Sequence, residues 1–166
     1  MTILEFVEKY ENMSSEKIKE EMVKGHVTRK YSPIVEKRIA LQTLLESSIV
    51  DGYVDMVLSR INYTLSLPIL YTDLDVDVSP SGASMRFEIY DAVMRSGLIG
   101  KICEEIGQAE IEELSTINSL LIQNYDNRET STGAIIRKGA ELLGNSFEIL
   151  GNSEMLKGVL DGELLE

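Results

Sequence analysis

Two strongly apolar segments that meet at Asp51-Gly52 constrain this chain more than any other feature. From Ser32-Pro33, a helix start in which a hydroxyl is placed to accept an orphan N–H and proline suits the first turn, Ile34, Val35, Ile39, Leu41, Leu44, Leu45 and Ile49 trace a broad apolar face. A second helix is expected from about Tyr53 to Tyr71, carrying Val54, Val57, Leu58, Ile61, Leu65 and Leu67, with Pro68 expected to kink or end it. Joined by a tight turn, the two segments predict an antiparallel helix hairpin over residues 33–71. The fold class that follows is all-α: a single helical domain built on that central hairpin.

The flanking sequence fits this class. Ile3, Phe6, Val7 and Tyr10 recur at helical spacing behind Thr2, and Ser14 or Ser15 is expected to cap a second, charged helix that Gly25 stops. Val27 to Tyr31, rich in β-branched and aromatic residues, reads as an extended connector. Asp73 to Val78 alternates with period two before Ser79-Pro80-Ser81-Gly82, which gives a short extended segment and a loop. Helices are expected at about 83–96, 98–106, 109–124 and 133–143, with breaks at Gly97, Gly107 and the polar stretch Asn124–Thr132. Residues 1–130 then form the helical core and 131–166 a Gly-rich C-terminal helical extension. In that extension Gly144-Asn145-Ser146 recurs as Gly151-Asn152-Ser153, and the glycines favour short broken helices over one heptad seam.

Charge is divided unevenly along the chain. The first 40 residues hold 8 of the 16 Lys and Arg against 7 carboxylates, so residues 41–166 hold 8 basic and 21 acidic side chains, and the net charge is −12. Such a net field repels phosphate, so direct nucleic-acid binding is not expected, nor is attachment to an anionic membrane. No run approaches the roughly 18 apolar residues of a membrane-spanning helix, and the N-terminus opens with an acidic amphipathic pattern, so the chain is expected to be soluble and not secreted. The basic residues Lys24, Arg29, Lys30, Lys37 and Arg38, with His26 among them, form the one cluster read as an interaction site; a solvated helix start or an internal partner for the acidic helices is the competing reading.

No motif for chemistry is found. His26 has no second histidine or cysteine pair to complete a zinc site, and reads as an ordinary connector residue. Asp73, Asp75 and Asp77 imitate the opening of a calcium loop, but Val78 stands where a sharp-turn glycine belongs and Ser84 where a bidentate glutamate belongs. Nucleophile-elbow and phosphate-loop glycine patterns are missing. Glu104, Glu105, Glu110, Glu112 and Glu113 read as a water-facing helix surface, and Cys103 as a small buried thiol. The expectation is a protein without catalytic residues, cofactor or metal.

Three stretches occur in a suggestive order: His26-Val27-Thr28-Arg29-Lys30-Tyr31-Ser32-Pro33-Ile34-Val35-Glu36-Lys37, then Leu70-Tyr71-Thr72-Asp73-Leu74, then Tyr90-Asp91-Ala92-Val93-Met94-Arg95-Ser96-Gly97-Leu98-Ile99. This order resembles a loosely defined group of small helical proteins of tailed bacteriophages, over residues 20–125. The resemblance carries no catalytic or ligand residue to this chain. It implies a virion-associated or assembly role, for instance a head–tail connector or capsid-associated protein in the virion or host cytoplasm, whose partners are itself and other virion proteins. The alternative is a small acidic phage inhibitor of a host protein, in which carboxylates imitate nucleic-acid phosphate.

Overall fold

Helices account for most of the fold in the computed structural model, which describes residues 1–78 and 83–130. Contact density divides the chain into two units, Met1–Ile122 and Gln123–Glu166. The expected helix at 133–143 and the Gly-Asn-Ser repeat lie outside the described residues.

Helix α1 (Ile3–Glu11) starts at a capping box: Thr2 Oγ1 accepts from the Glu5 N–H at 3.3 Å, and the Thr2 N–H donates to Glu5 Oε2 at 3.0 Å. Its stripe of Ile3, Phe6, Val7 and Tyr10 is buried, as the spacing predicts. Helix α2 (Glu16–His26) passes through Gly25, contrary to the expected stop. It ends where Val27 enters an antiparallel bridge with Thr72, and the Thr28 N–H and Asp73 N–H donate across to Tyr71 O and His26 O at 2.9 and 3.1 Å. Tertiary pairing of the connector sets the end here, and glycine's low propensity does not.

Helix α3 (Ile34–Glu46) is preceded by Pro33 in the cap position, and the Ser32 hydroxyl makes no capping bond. Its apolar residues also divide otherwise than the spacing suggests. Leu41, Leu44 and Leu45 are buried, whereas Ile34, Val35 and Ile39 are 56, 63 and 61% exposed. A β-hairpin follows, β1 (Ile49–Val50) with β2 (Tyr53–Val54), turning at Asp51 and Gly52, both with positive φ (53° and 81°) as a two-residue hairpin demands. Tyr53 therefore belongs to a strand and not to the next helix.

Helix α4 (Met56–Tyr71) begins at Asp55, whose Oδ1 accepts from the N–H groups of Val57 and Leu58 at 2.9 and 3.0 Å. It continues past Pro68 by a further turn and ends at Tyr71, as expected, so Pro68 itself does not terminate it. A proline inside a helix costs about 3 kcal/mol. Leu65, Leu67, Leu70 and Tyr71 around it are all buried, and each such apolar side chain contributes roughly 1.5–3 kcal/mol, so packing wins. The chain then runs extended: Asp75 bridges Thr2 in parallel, with the Ile3 N–H donating to Asp75 O and the Asp75 N–H to Met1 O, both at 3.0 Å.

Helices α5 (Ala83–Arg95), α6 (Leu98–Ile106) and α7 (Gln108–Thr130) are separated where expected, at Gly97 and Gly107, each with positive φ (73° and 100°). The expected break from Asn124 is absent as far as Thr130; no Gly or Pro interrupts residues 124–130, and the helix continues through them. The core of the first unit is one cluster from α1, α4, α5, α6 and the start of α7, to which α2 adds Val23, α3 Leu41 and the extended segment Leu74. Among the described residues no helix is long and apolar enough to cross a membrane.

Candidate functional site

The basic segment folds largely inward. Lys37, on the first turn of α3, is fully buried; its Nζ lies 2.8 Å from Glu110 Oε1 and also pairs with Glu113. Glu110 stands in the first turn of α7, where the helix dipole favours an anion. The same Oε1 accepts from the Ser32 N–H at 2.9 Å and the Tyr71 hydroxyl at 2.7 Å. Tyr31 covers the amine, with its ring centroid 4.8 Å from Nζ. One carboxylate thus ties α3, α4 and α7 together.

Electrostatics fix the protonation states of this hub. Burial disfavours the charged form of Lys37, but its bonds to Glu110 and Glu113 outweigh that, and its pKa lies above the ordinary lysine value. For Glu110 burial again opposes charge, and donation from Lys37, the Ser32 N–H and Tyr71 prevails, so the carboxyl is held below its usual range. Burial, then the Glu110 carboxylate beside it, pushes the Tyr71 phenol well above a free tyrosine. The amine stays protonated, the carboxyl ionised and the phenol neutral. Such a set holds helices together, and near neutral pH it has no proton ready to give or take.

The remaining basic residues divide between internal pairs and solvent. Lys24 and Lys30 both approach Glu105, at 3.5 and 3.6 Å. Arg29 donates to Leu70 O at 2.6 Å and pairs with Glu36. Arg38 alone of the five candidates is exposed without an ion pair among the described residues. Lys37, buried in the hub, offers nothing outward, which corrects its place in the candidate surface. The reading of the 104–113 glutamates as a water-facing surface is likewise corrected at Glu110, which is buried; Glu105 and Glu113 are part-exposed and pair with lysines.

Two further arrangements escaped the sequence reading. Arg86, on α5, is 2% exposed, yet no carboxylate pairs with it among the described residues. Its Nη1 donates to Ser47 Oγ at 2.9 Å and Asn62 Oδ1 at 3.2 Å, while Nε finds no acceptor. Asn62 Nδ2 is itself within 2.8–3.0 Å of Ser48 Oγ, Leu44 O and Ser47 Oγ. The available signal was Asn62, a polar side chain on the apolar face of α4. His26, ending α2, places Nδ1 2.6 Å from Asp73 Oδ1 and meets the Phe6 ring edge-on at 5.0 Å. That hydrogen bond holds the Asp73 carboxyl below its usual range. Asp73 therefore serves a contact between α2 and the extended segment, and no group of three or more His, Cys, Asp or Glu side chains converges as a metal site among the described residues. Cys103 is half-buried, and burial followed by the charge of Glu104 raises its thiol.

No protein-family model, no curated protein and no solved structure matches the chain.

Proposed function

We propose that this protein is a non-enzymatic bacteriophage structural or assembly component, a head–tail connector or capsid-associated protein that acts through protein–protein contacts. One observation carries the reading: apolar side chains remain in water on the outer face of α3, at Ile34, Val35 and Ile39, beside the exposed Tyr31 and Arg38. A contiguous apolar face of this kind is the usual mark of a contact surface. The outward part of the basic segment, Arg38 above all, supplies polarity and register to that surface. In this reading the helix pair of residues 33–71 is the rigid frame that presents it. The order of the 26–37, 70–74 and 90–99 stretches supports the phage assignment.

The test is fractionation of particles. In cells that produce the virus encoding this chain, gradient-purified particles or assembly intermediates should contain it in defined copy number. The competing reading, an inhibitor of a host protein, is favoured by the net charge of −12. It takes over if the chain is found only in the soluble fraction, bound one-to-one to a host protein.

A further inference from the structure

Two surface features stand unexplained by the fold. The first is the outer stripe of α3: Ile34, Val35, Arg38 and Ile39, spaced i, i+1, i+4 and i+5, share one helix face. The second is an open groove of about 550 Å³ between α1 and α5. Leu4, Val7 and Ala92 line it, with Glu8 from α1 and Glu88 and Asp91 from α5. These three carboxylates are exposed and have no ion pair among the described residues, while Arg95 and Glu11, 3.2 Å apart, form a pair at the groove. The outer face of α5 adds two exposed apolar side chains, Phe87 and Met94, 45 and 47% accessible.

We propose that the α3 stripe of one copy seats in the α1–α5 groove of a second copy. The chemistry of the two surfaces is complementary. One is apolar with a single uncompensated cation, the other carries apolar lining beneath three uncompensated carboxylates. Arg38 would reach Glu88 or Asp91, and Ile34, Val35 and Ile39 would cover the half-buried Leu4 and the exposed Phe87 and Met94 beside the groove. The stripe cannot fill the groove of its own molecule, because α3 is held against α4, with Leu41, Leu44 and Leu45 buried, while the groove lies between α1 and α5, which pack on each other.

Net charge opposes the contact, since each copy carries −12. That repulsion is long-ranged and is screened beyond about 8 Å at physiological salt, whereas the Arg38 contact and the apolar burial act at touching distance. Donor and acceptor are different patches, so the interface is heterologous and repeats head to tail, giving a ring where the rotation closes and a filament where it does not. The inference deepens the assembly reading and rests on it for its use in a particle, though its geometry is tested on the purified chain alone.

The experiment is sedimentation velocity of the full chain at physiological salt, with three proteins. Wild type should form concentration-dependent oligomers. Ile39→Asp blocks the stripe and Glu88→Lys with Asp91→Lys blocks the groove; each should weaken self-association at least tenfold while its melting temperature holds, since all three positions are exposed. Mixed in equal amounts, the two variants should form a dimer and nothing larger, because one intact interface remains. If Ile39→Asp fails to fold, Arg38→Glu takes its place. The proposal is overturned by a wild type that stays monomeric at every concentration, or by a groove variant that associates like wild type, which would mean that stripes pair with each other. Either result leaves the particle-fractionation test of the assembly reading standing by itself.

Discussion

Two buried cations sit in the first unit, and the protein treats them differently. Lys37 is neutralised by carboxylates, Glu110 at 2.8 Å and Glu113 at the edge of solvent. Arg86 has neutral acceptors, Ser47 Oγ and Asn62 Oδ1, at the C-terminal end of α3, where helix carbonyls carry partial negative charge. An ion pair concentrates compensation in one partner, so removal of that partner strands a charge. A dipole cage spreads it over several groups, and loss of the cation strands only acceptors. The first kind of hub is the more fragile to single changes and holds groups that titrate; the second is less fragile, and its acceptors are neutral.

The largest effect is therefore expected at the ion pair. Lys37→Met leaves Glu110 as a buried anion with two neutral donors, and removal of one partner of a buried pair costs about 3–5 kcal/mol. Adding Glu110→Gln should restore part of that loss, by about 1 kcal/mol or more, because the amide oxygen still accepts from the Ser32 N–H and Tyr71 while no charge remains. Urea midpoints of the single and double variants measure the difference. A double variant as unstable as the single would show that shape, not charge, governs this hub.

Arg86→Met should cost less, about 1–3 kcal/mol, the penalty of leaving the buried Asn62 Oδ1 without a donor while Ser47 Oγ keeps Asn62 Nδ2. The same urea titration ranks it against Lys37→Met. Equal losses would mean that the end of α3 compensates a charge as strongly as a carboxylate does, and the contrast between the hubs would fall.

Acidity separates the hubs further. The Glu110 pKa is depressed in the folded chain, so its contribution is fully present above the unfolded carboxylate value of about 4.3 and is lost as pH falls through the folded value. The Lys37 pKa is raised, so its contribution is present below the unfolded value of about 10.4 and lost as pH rises through the folded one. Stability of wild type relative to the Lys37→Met, Glu110→Gln double variant should thus be greatest between those limits and shrink on either side. Arg86→Met should keep the wild-type profile, shifted downward, since Arg86, Asn62, Ser47 and Ser48 include neither carboxylate nor amine. Thermal melts at pH 3, 7 and 11 would show it, and a flat difference at all three would remove the titrating pair from the account.

The two hubs also mark how far the sequence could be read. Glycines that take positive φ, Gly97 and Gly107, were legible as helix breaks because the backbone conformation is local. Gly25 does not act as the expected stop, because the Val27–Thr72 bridge is a long-range effect that overrides a local preference; Pro68 is carried inside α4 by the burial of Leu65, Leu67 and Leu70, and the helix ends at Tyr71 as the apolar run implies. The interaction segment was located but its direction was not. Lys37 and Arg38 are neighbours in sequence with the same chemistry, and only the helix rotation sends one to Glu110 and the other to water. Glu110 among five similar glutamates, and Arg86 on a charged helix, carry no local sign that they are buried; their partners lie on other helices, 73 residues away for Lys37 and 24 for Asn62.

Ser32 provides the finest probe. Before Pro33 and a helical stretch it has the pattern of an N-cap, and a capping hydroxyl replaced by alanine costs about 1 kcal/mol. Its surroundings say otherwise: the Ser32 side chain is buried, its Oγ meets no partner, and the contact that matters is made by its backbone N–H to Glu110 at 2.9 Å. Alanine keeps that N–H and removes a desolvated hydroxyl. Ser32→Ala should therefore leave stability unchanged or raise it by up to about 1 kcal/mol, since a buried polar group without a hydrogen bond costs more than the methyl that replaces it. Denaturant midpoints of wild type and variant decide between cap and orphan. A loss near 1 kcal/mol would return Ser32 to the role its sequence context implies, and would make the start of α3 depend on its own cap as well as on the buried carboxylate of α7.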